Sequence, residues 1–220
     1  MPIADEQIRT DIENQLFWDS RIDETGVTVT VVNGEVALKG SVSTFMAKQA
    51  AEDDAWVIPG VVAVENNITV EYPTTVTLPT DADIKSNVKN VFTWNAVIDT
   101  QDLEVSVSDG IVTLRGSVDS YWKMLRAEEL VLDVRGVLGV VNEMAVVPTE
   151  DFVDETIAED IVNALKRGPN LNVDDITVEV DDGVVTLTGT VPNAYGRTIA
   201  RDAALYTPGV VGINNYLMVE

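Results

Sequence analysis

The sequence predicts an α/β (α+β) fold: three tandem αββαβ domains, each a three-stranded sheet covered by two helices. Three observations carry this expectation. The segments NGEVALKGSV (33–42), DGIVTLRGSV (109–118) and DGVVTLTGTV (182–191) are versions of one another. The first copy aligns with the second at a constant shift of 76, and the second with the third at 73, without gaps from Asp5 to Val70. Each copy also passes from helical to alternating periodicity and back. Self-similarity at a fixed period marks repeated structural units. The expected domains are 5–73, 81–148 and 154–220, joined by short segments bearing Pro73, Pro79 and Pro148.

The elements follow in order. Ile8, Ile12 and Leu16 recur at i, i+4 and i+8, as do Ile84, Val88 and Phe92, and Ile157, Ile161 and Leu165. That spacing is an amphipathic helix with one buried stripe. Asp5, Asp81 and Asp154 stand just ahead, where a short acceptor caps amides and meets the positive dipole end. Val27, Val29 and Val31 then alternate with polar residues, and Val36, Leu38, Gly40 and Val42 alternate again. Between the runs lie Asn33-Gly34, Asp109-Gly110 and Asp182-Gly183, the turn chemistry of a type I′ hairpin, which requires positive φ twice. Gly34, Gly110 and Gly183 are therefore structural turn glycines. A second helix carries Ala51, Ala55 and Ile58 on one face, is ended by Gly60, and leads to a strand starting at Val61. Strand order is not legible at this level.

Composition excludes several functions. The chain of 220 residues has 14 Lys and Arg against 37 Asp and Glu, a formal net charge of −23, with neither His nor Cys. Backbone recognition of nucleic acid needs clustered cations, so nucleic acid is not an expected partner. Without Cys there is no disulfide framework or thiolate site, and without His the commonest metal ligand is missing. Hydrophobic residues make up 45% of the chain, too many for a solvating polyanion. No apolar run is long enough for a membrane span, and the N-terminus lacks a signal-peptide pattern. The expected location is cytoplasmic, or periplasmic if a leader has been cleaved.

The hairpin pattern G-[VI]-V-x-L-x-G-x-V, a following helix, then G-V-x-x-V-x-N and a closing apolar strand resemble the BON domain (bacterial osmotically inducible and nodulation, transport-associated). All three copies match. The resemblance implies an αββαβ fold, a part in osmotic or general stress protection, phospholipid or membrane-surface binding, and no catalytic residues or cofactor.

The remaining polar and glycine motifs have ordinary structural roles. Gly34 and Gly40 lie in a hairpin, not before a helix N-terminus, so a phosphate cradle is not expected. Gly136 and Gly139 form a GxxG that the first copy lacks, with no basic residue inside it and an acidic domain around it, which rejects an RNA-binding loop. The Asn columns (Asn14, Asn90, Asn163; Asn66, Asn142, Asn215) suit local backbone hydrogen bonds. The acidic pairs Asp53-Asp54, Glu128-Glu129, Asp174-Asp175 and Asp181-Asp182 lack calcium-loop spacing and read as solvated faces. No metal site and no catalytic residue is expected.

Aromatic departures from the repeat are more informative. Phe17-Trp18 becomes Thr93-Trp94 and then Lys166-Arg167, while Phe45-Met46 becomes Tyr121-Trp122 and then Ala194-Tyr195. Shared core positions vary least, so Phe17, Trp18, Trp94, Tyr121, Trp122 and Tyr195 are candidates for inter-domain or partner contacts. Trp56 aligns with Leu132 and Leu205 and is expected in the core. Net charge is −9 in 5–73, −5 in 81–148 and −7 in 154–220. The middle copy adds Lys123 and Arg126 beside Trp122, the best candidate for an anionic headgroup. The expected function is a non-enzymatic binding or scaffold protein of three modules, whose partner is a protein. The alternative is peripheral phospholipid binding, chiefly through the middle module.

Overall fold

The computed structural model describes residues 3–22, 26–72, 77–95, 98, 103–168 and 171–219. Among them one order of elements occurs three times. The first repeat runs α1 (Asp5–Trp18), β1 (Val27–Val32), β2 (Glu35–Val42), α2 (Phe45–Trp56) and β3 (Ala63–Val70). The second runs α3 (Asp81–Trp94), β4 (Leu103–Ser108), β5 (Ile111–Val118), α4 (Tyr121–Leu132) and β6 (Gly139–Val146). The third runs α5 (Asp154–Leu165), β7 (Ile176–Asp181), β8 (Val184–Val191), α6 (Ala194–Leu205) and β9 (Gly212–Val219). By compactness the chain divides into two units. One comprises Met1–Trp94, Val105–Leu114 and Glu129–Val141, the other Asn95–Glu104, Arg115–Glu128 and Asn142–Glu220.

In the first unit, the first repeat forms a sheet of order β1-β2-β3. The Asn33-Gly34 turn, with φ of 53° and 79°, folds β1 back antiparallel on β2. α2 then crosses over, so β3 runs parallel to β2, from Glu35↔Ala63 to Val42↔Val70. A two-residue turn can join only antiparallel neighbours, whereas a parallel pair needs such a crossover. β2 is thereby the central strand. α1 lies over β1, and α2 over β2 and β3.

The core follows from that arrangement. Ile8, Ile12 and Leu16 of α1 meet Val29, Val36, Leu38, Val42 and Ile68 of the sheet, and α2 contributes Ala47, Ala50, Ala51 and Ala55. Each fully buried aliphatic side chain contributes about 1.5–3 kcal/mol. These small side chains let the backbone of α2 approach the sheet. At Gly40 the chains come closer still: φ is +128° and a Cβ would lie 1.8 Å from the Gly26 carbonyl oxygen. In the second unit, the third repeat has order β7-β8-β9 and the matching core, Ile157, Ile161, Leu165, Val185, Leu187, Val191, Ala200, Ala204 and Leu217.

Three local expectations change. α2 ends at Trp56, before Ile58, and Gly60 (φ +90°) closes the turn that follows the helix. Pro59 disfavours a helical Ile58, although α4 stops at the matching residue with Arg135 in place of the proline. The last strand begins at Ala63, since the Val62 amide is spent on the Gly34 carbonyl at 3.0 Å. Trp56 is half-buried and outside the core cluster.

Candidate functional site

The three repeated aspartates do different work from the capping expected of them. α1 and α5 start from Ala4 and Val153 without a side-chain cap, and Asp5 and Asp154 are the first helical residues. The Asp5 carboxylate reaches across to the hairpin, accepting the amides of Asn33 at 2.8 Å and Gly34 at 3.0 Å. Asp81 does the same for Asp109 and Gly110, both at 2.9 Å, and Asp154 for Asp182 and Gly183, both at 2.9 Å. A type I′ turn leaves these amides outside the strand ladder, and the carboxylate supplies the missing acceptors. At α3 the cap is Thr80, whose hydroxyl accepts the Asp83 amide at 3.3 Å while Asp83 accepts the Thr80 amide at 3.0 Å.

The strand asparagines are also structural. Asn66 donates to the Lys48 carbonyl at 2.8 Å and to Glu52 at 3.2 Å, and accepts the Ile68 amide at 3.2 Å. Asn142 repeats this with Met124, Glu128 and Met144. Asn215 accepts the Leu217 amide at 3.2 Å. Asn66 and Asn142 tie the third strand of their repeats to the helix above it. Asn14, Asn90 and Asn163, by contrast, are exposed on their helices.

The aromatic candidates separate into two groups. At the C-terminal end of α1, Phe17 and Trp18 meet edge to face with centroids 5.2 Å apart, yet Trp18 stays 80% exposed. Trp94, in the same column at the end of α3, is 89% exposed. Tyr195 is likewise exposed at the start of α6. Tyr121 and Trp122 are half-buried within the second unit. Tyr121 packs on the core of the third repeat, and burial raises its phenol pKa. Trp122 meets Tyr206 with centroids 6.2 Å apart. Lys123 lies 5.8 Å above the Trp122 ring, with its ammonium paired to Asp119 at 2.6 Å, and Arg126 is exposed. Sequence reasoning passed over Tyr206, although it too breaks its column, aligned with Val57 and Asp133.

One acidic pair is not a solvated face. Asp54 is 7% exposed. Its Oδ1 accepts from Gln15 at 3.2 Å, and its Oδ2 has no hydrogen-bond partner. Desolvation raises the Asp54 pKa; the Gln15 bond and the Arg21 charge oppose the rise, and Asp19 adds to it. Asp19 is held below the carboxylate range, chiefly by its bond to Arg21. The reason for the burial is position: Asp54 lies on the face of α2 that turns toward α1, beside Ala51 and Ala55. Among the described residues no three Asp or Glu side chains converge to hold a metal, and no helix is long and apolar enough to cross a membrane.

The fold and these sites define a protein of three repeated α+β modules, with clamped hairpins and an exposed chemistry of acids and isolated aromatic rings. The BON domain family model matches residues 4–72, 80–148 and 153–220, and the chain belongs to that family. It is similar to Osmotically-inducible protein Y of Escherichia coli (strain K12), at 29% identity over 146 residues, covering 64% of this chain and 73% of that protein. Among solved structures it is matched to the C-terminal domain of CdsD, a structural protein of the type III secretion system of Chlamydia trachomatis. That alignment has 14% identity over 99% of this chain and 100% of the other, with a TM-score of 0.27. A second CdsD structure matches at 15% identity, over 96% and 91% of the two chains, with a TM-score of 0.26. Scores of that size do not establish a common arrangement.

Proposed function

We propose that the chain is a non-enzymatic binding or scaffold protein whose modules, 5–73, 81–148 and 154–220, dock a protein partner in osmotic or general stress protection. One observation carries the reading: Trp18 and Trp94 occupy one column of the repeat and are 80% and 89% exposed. Indole rings left in water forgo their burial energy, and Trp is among the residues enriched at interface hot spots. A chain of net charge −23 favours a partner with a basic face. The stress role rests on likeness to a relative named as osmotically inducible. The test is to identify a partner by capture from the native host, purify it, and titrate it against the chain. Trp18→Ala with Trp94→Ala should weaken that binding about tenfold or more with unchanged far-UV circular dichroism. Equal affinity would overturn the proposal.

Phospholipid binding through Tyr121, Trp122, Lys123 and Arg126 has less support. Trp122 is already engaged with Tyr206, and Lys123 with Asp119. Each cation at an anionic surface contributes about 1 kcal/mol, and the surplus of acids opposes it. Co-sedimentation with phosphatidylglycerol vesicles at low salt decides this point, and pelleting of the chain would restore the lipid reading.

A further inference from the structure

The three repeats fill one place in the fold in three ways. Between the C-terminal halves of the two helices the first repeat sets Gln15 against Asp54, hydrogen-bonded at 3.2 Å across the gap. The second places the branched side chains of Val91 and Leu130 in these columns, and the third has only Ala164 and Ala203. In the third repeat a groove of about 570 Å³ lies there, walled by Asp160, Asn163, Lys166, Arg167, Asp202 and Tyr206. That size is in the range of small-molecule sites.

We infer that this groove binds a small zwitterion, a molecule carrying an ammonium group and a carboxylate. Two carboxylates and two cations line it, so the lining is neutral within a chain of net charge −23. A simple anion meets Asp160, Asp202 and the field of the whole chain. A simple cation meets Lys166 and Arg167. A ligand with both charges satisfies both halves. Lys166 and Arg167 stand where the first repeat has Phe17 and Trp18, and neither forms an ion pair among the described residues. They are the carboxylate end, and guanidinium offers a two-pronged fit to it. The ammonium end has Asp202 and the ring of Tyr206, which is 65% exposed with Trp122 beside it. Cations are attracted to such ring faces. α6 also ends here, at Leu205 beside Tyr206, and a helix C-terminus carries partial negative charge.

The test uses the full chain, ¹⁵N-labelled, titrated with glycine betaine, with tetramethylammonium and acetate as the two single-charge halves. Glycine betaine should give saturable amide shifts confined to 160–168 and 202–207, and neither half should do so at the same concentration. Ala203→Leu, which restores the bulk of the second repeat, should weaken binding about tenfold or more. Lys166→Glu with Arg167→Glu changes only exposed side chains and should do the same. The inference is overturned if no saturable shift occurs, if either half binds as well as the whole, or if both variants bind like the parent chain.

Discussion

The carboxylate of Asp5 and the amide of Gly34 are 29 residues apart in sequence and 3.0 Å apart in the fold. The same bond joins Asp81 to Gly110 and Asp154 to Gly183, so every repeat pins its hairpin to the start of its first helix. The turn amides have no strand partner, and hydrogen bonds to a charged acceptor contribute about 1.5–3 kcal/mol when buried and less when part-exposed.

Asp154→Ala should therefore destabilise the third repeat by about 1–2 kcal/mol, and Asp154→Asn by less, because one acceptor oxygen remains. Hydrogen exchange localises the effect. The amides of Asp182 and Gly183 should exchange faster in the Ala variant while those of Asn33 and Gly34 do not change. Unaltered protection at Asp182 and Gly183 would remove the clamp from the account of stability.

How far this was legible in sequence depends on the range of the interaction. The helices and hairpins are local patterns: the Ile8–Ile12–Leu16 stripe and the Asn33-Gly34 turn carry their own geometry. The position of β2 at the centre of the sheet is not local, because it is set by the path of α2. Asp5 misleads for a related reason. An acid at a helix start suits a cap, and only the folded hairpin reveals the second set of amides. The aromatic departures were visible as a class, yet their fates divide. Trp18 and Trp94 stay in water, whereas Tyr121 and Trp122 meet the third repeat, and no pattern within a repeat encodes how repeats pack. The burial of Asp54 is hidden in the sequence because its neighbour Asp53 is exposed, and a pair of acids looks solvated until the helix phase is known.

Gly40→Ala should cost more than Gly34→Ala. At Gly34 an added Cβ meets the Gly60 carbonyl oxygen at 2.6 Å, and at Gly40 it meets the Gly26 carbonyl oxygen at 1.8 Å. Both positions have positive φ, so both substitutions carry backbone strain of about 1 kcal/mol or more. At Gly40 the β1–β2 pairing must also separate. Urea denaturation should show a lower midpoint for Gly40→Ala than for Gly34→Ala, and the reverse order would contradict the close approach.

Tyr72→Phe tests the link between the first two repeats inside the first unit. The Tyr72 hydroxyl accepts the Gly136 amide at 3.1 Å and donates to the Val137 carbonyl at 3.3 Å. Removing it leaves a part-buried amide and carbonyl without partners, at a cost of about 1 kcal/mol. The Gly136 amide should lose exchange protection, with the core amides of Leu38 and Leu187 unaffected. Full protection at Gly136 in the Phe variant would show that the hydroxyl does not hold the contact.

Asp54 sets a pH dependence whose sign is opposite to that of Asp19. Its folded pKa is raised, by desolvation first, while the facing Gln15 and Arg21 oppose the rise and Asp19 reinforces it. Between the unfolded and folded pKa values the folded chain therefore keeps a proton that the unfolded chain releases. The stabilising contribution is full below the ordinary aspartate pKa and is lost as pH rises through the folded value. Asp19 runs the other way: its lowered pKa stabilises above the ordinary value and fails in acid. In the neutral form Oδ2 is a hydroxyl that can donate toward Asp19, which the ionised carboxylate cannot do. Asp54→Asn mimics that neutral form at every pH. The variant should melt higher than the parent chain at pH 7, and the gap should close as the pH falls below the ordinary aspartate value. A variant that melts lower at pH 7 would mean that the ionised carboxylate is compensated in place, with Arg21 outweighing the desolvation.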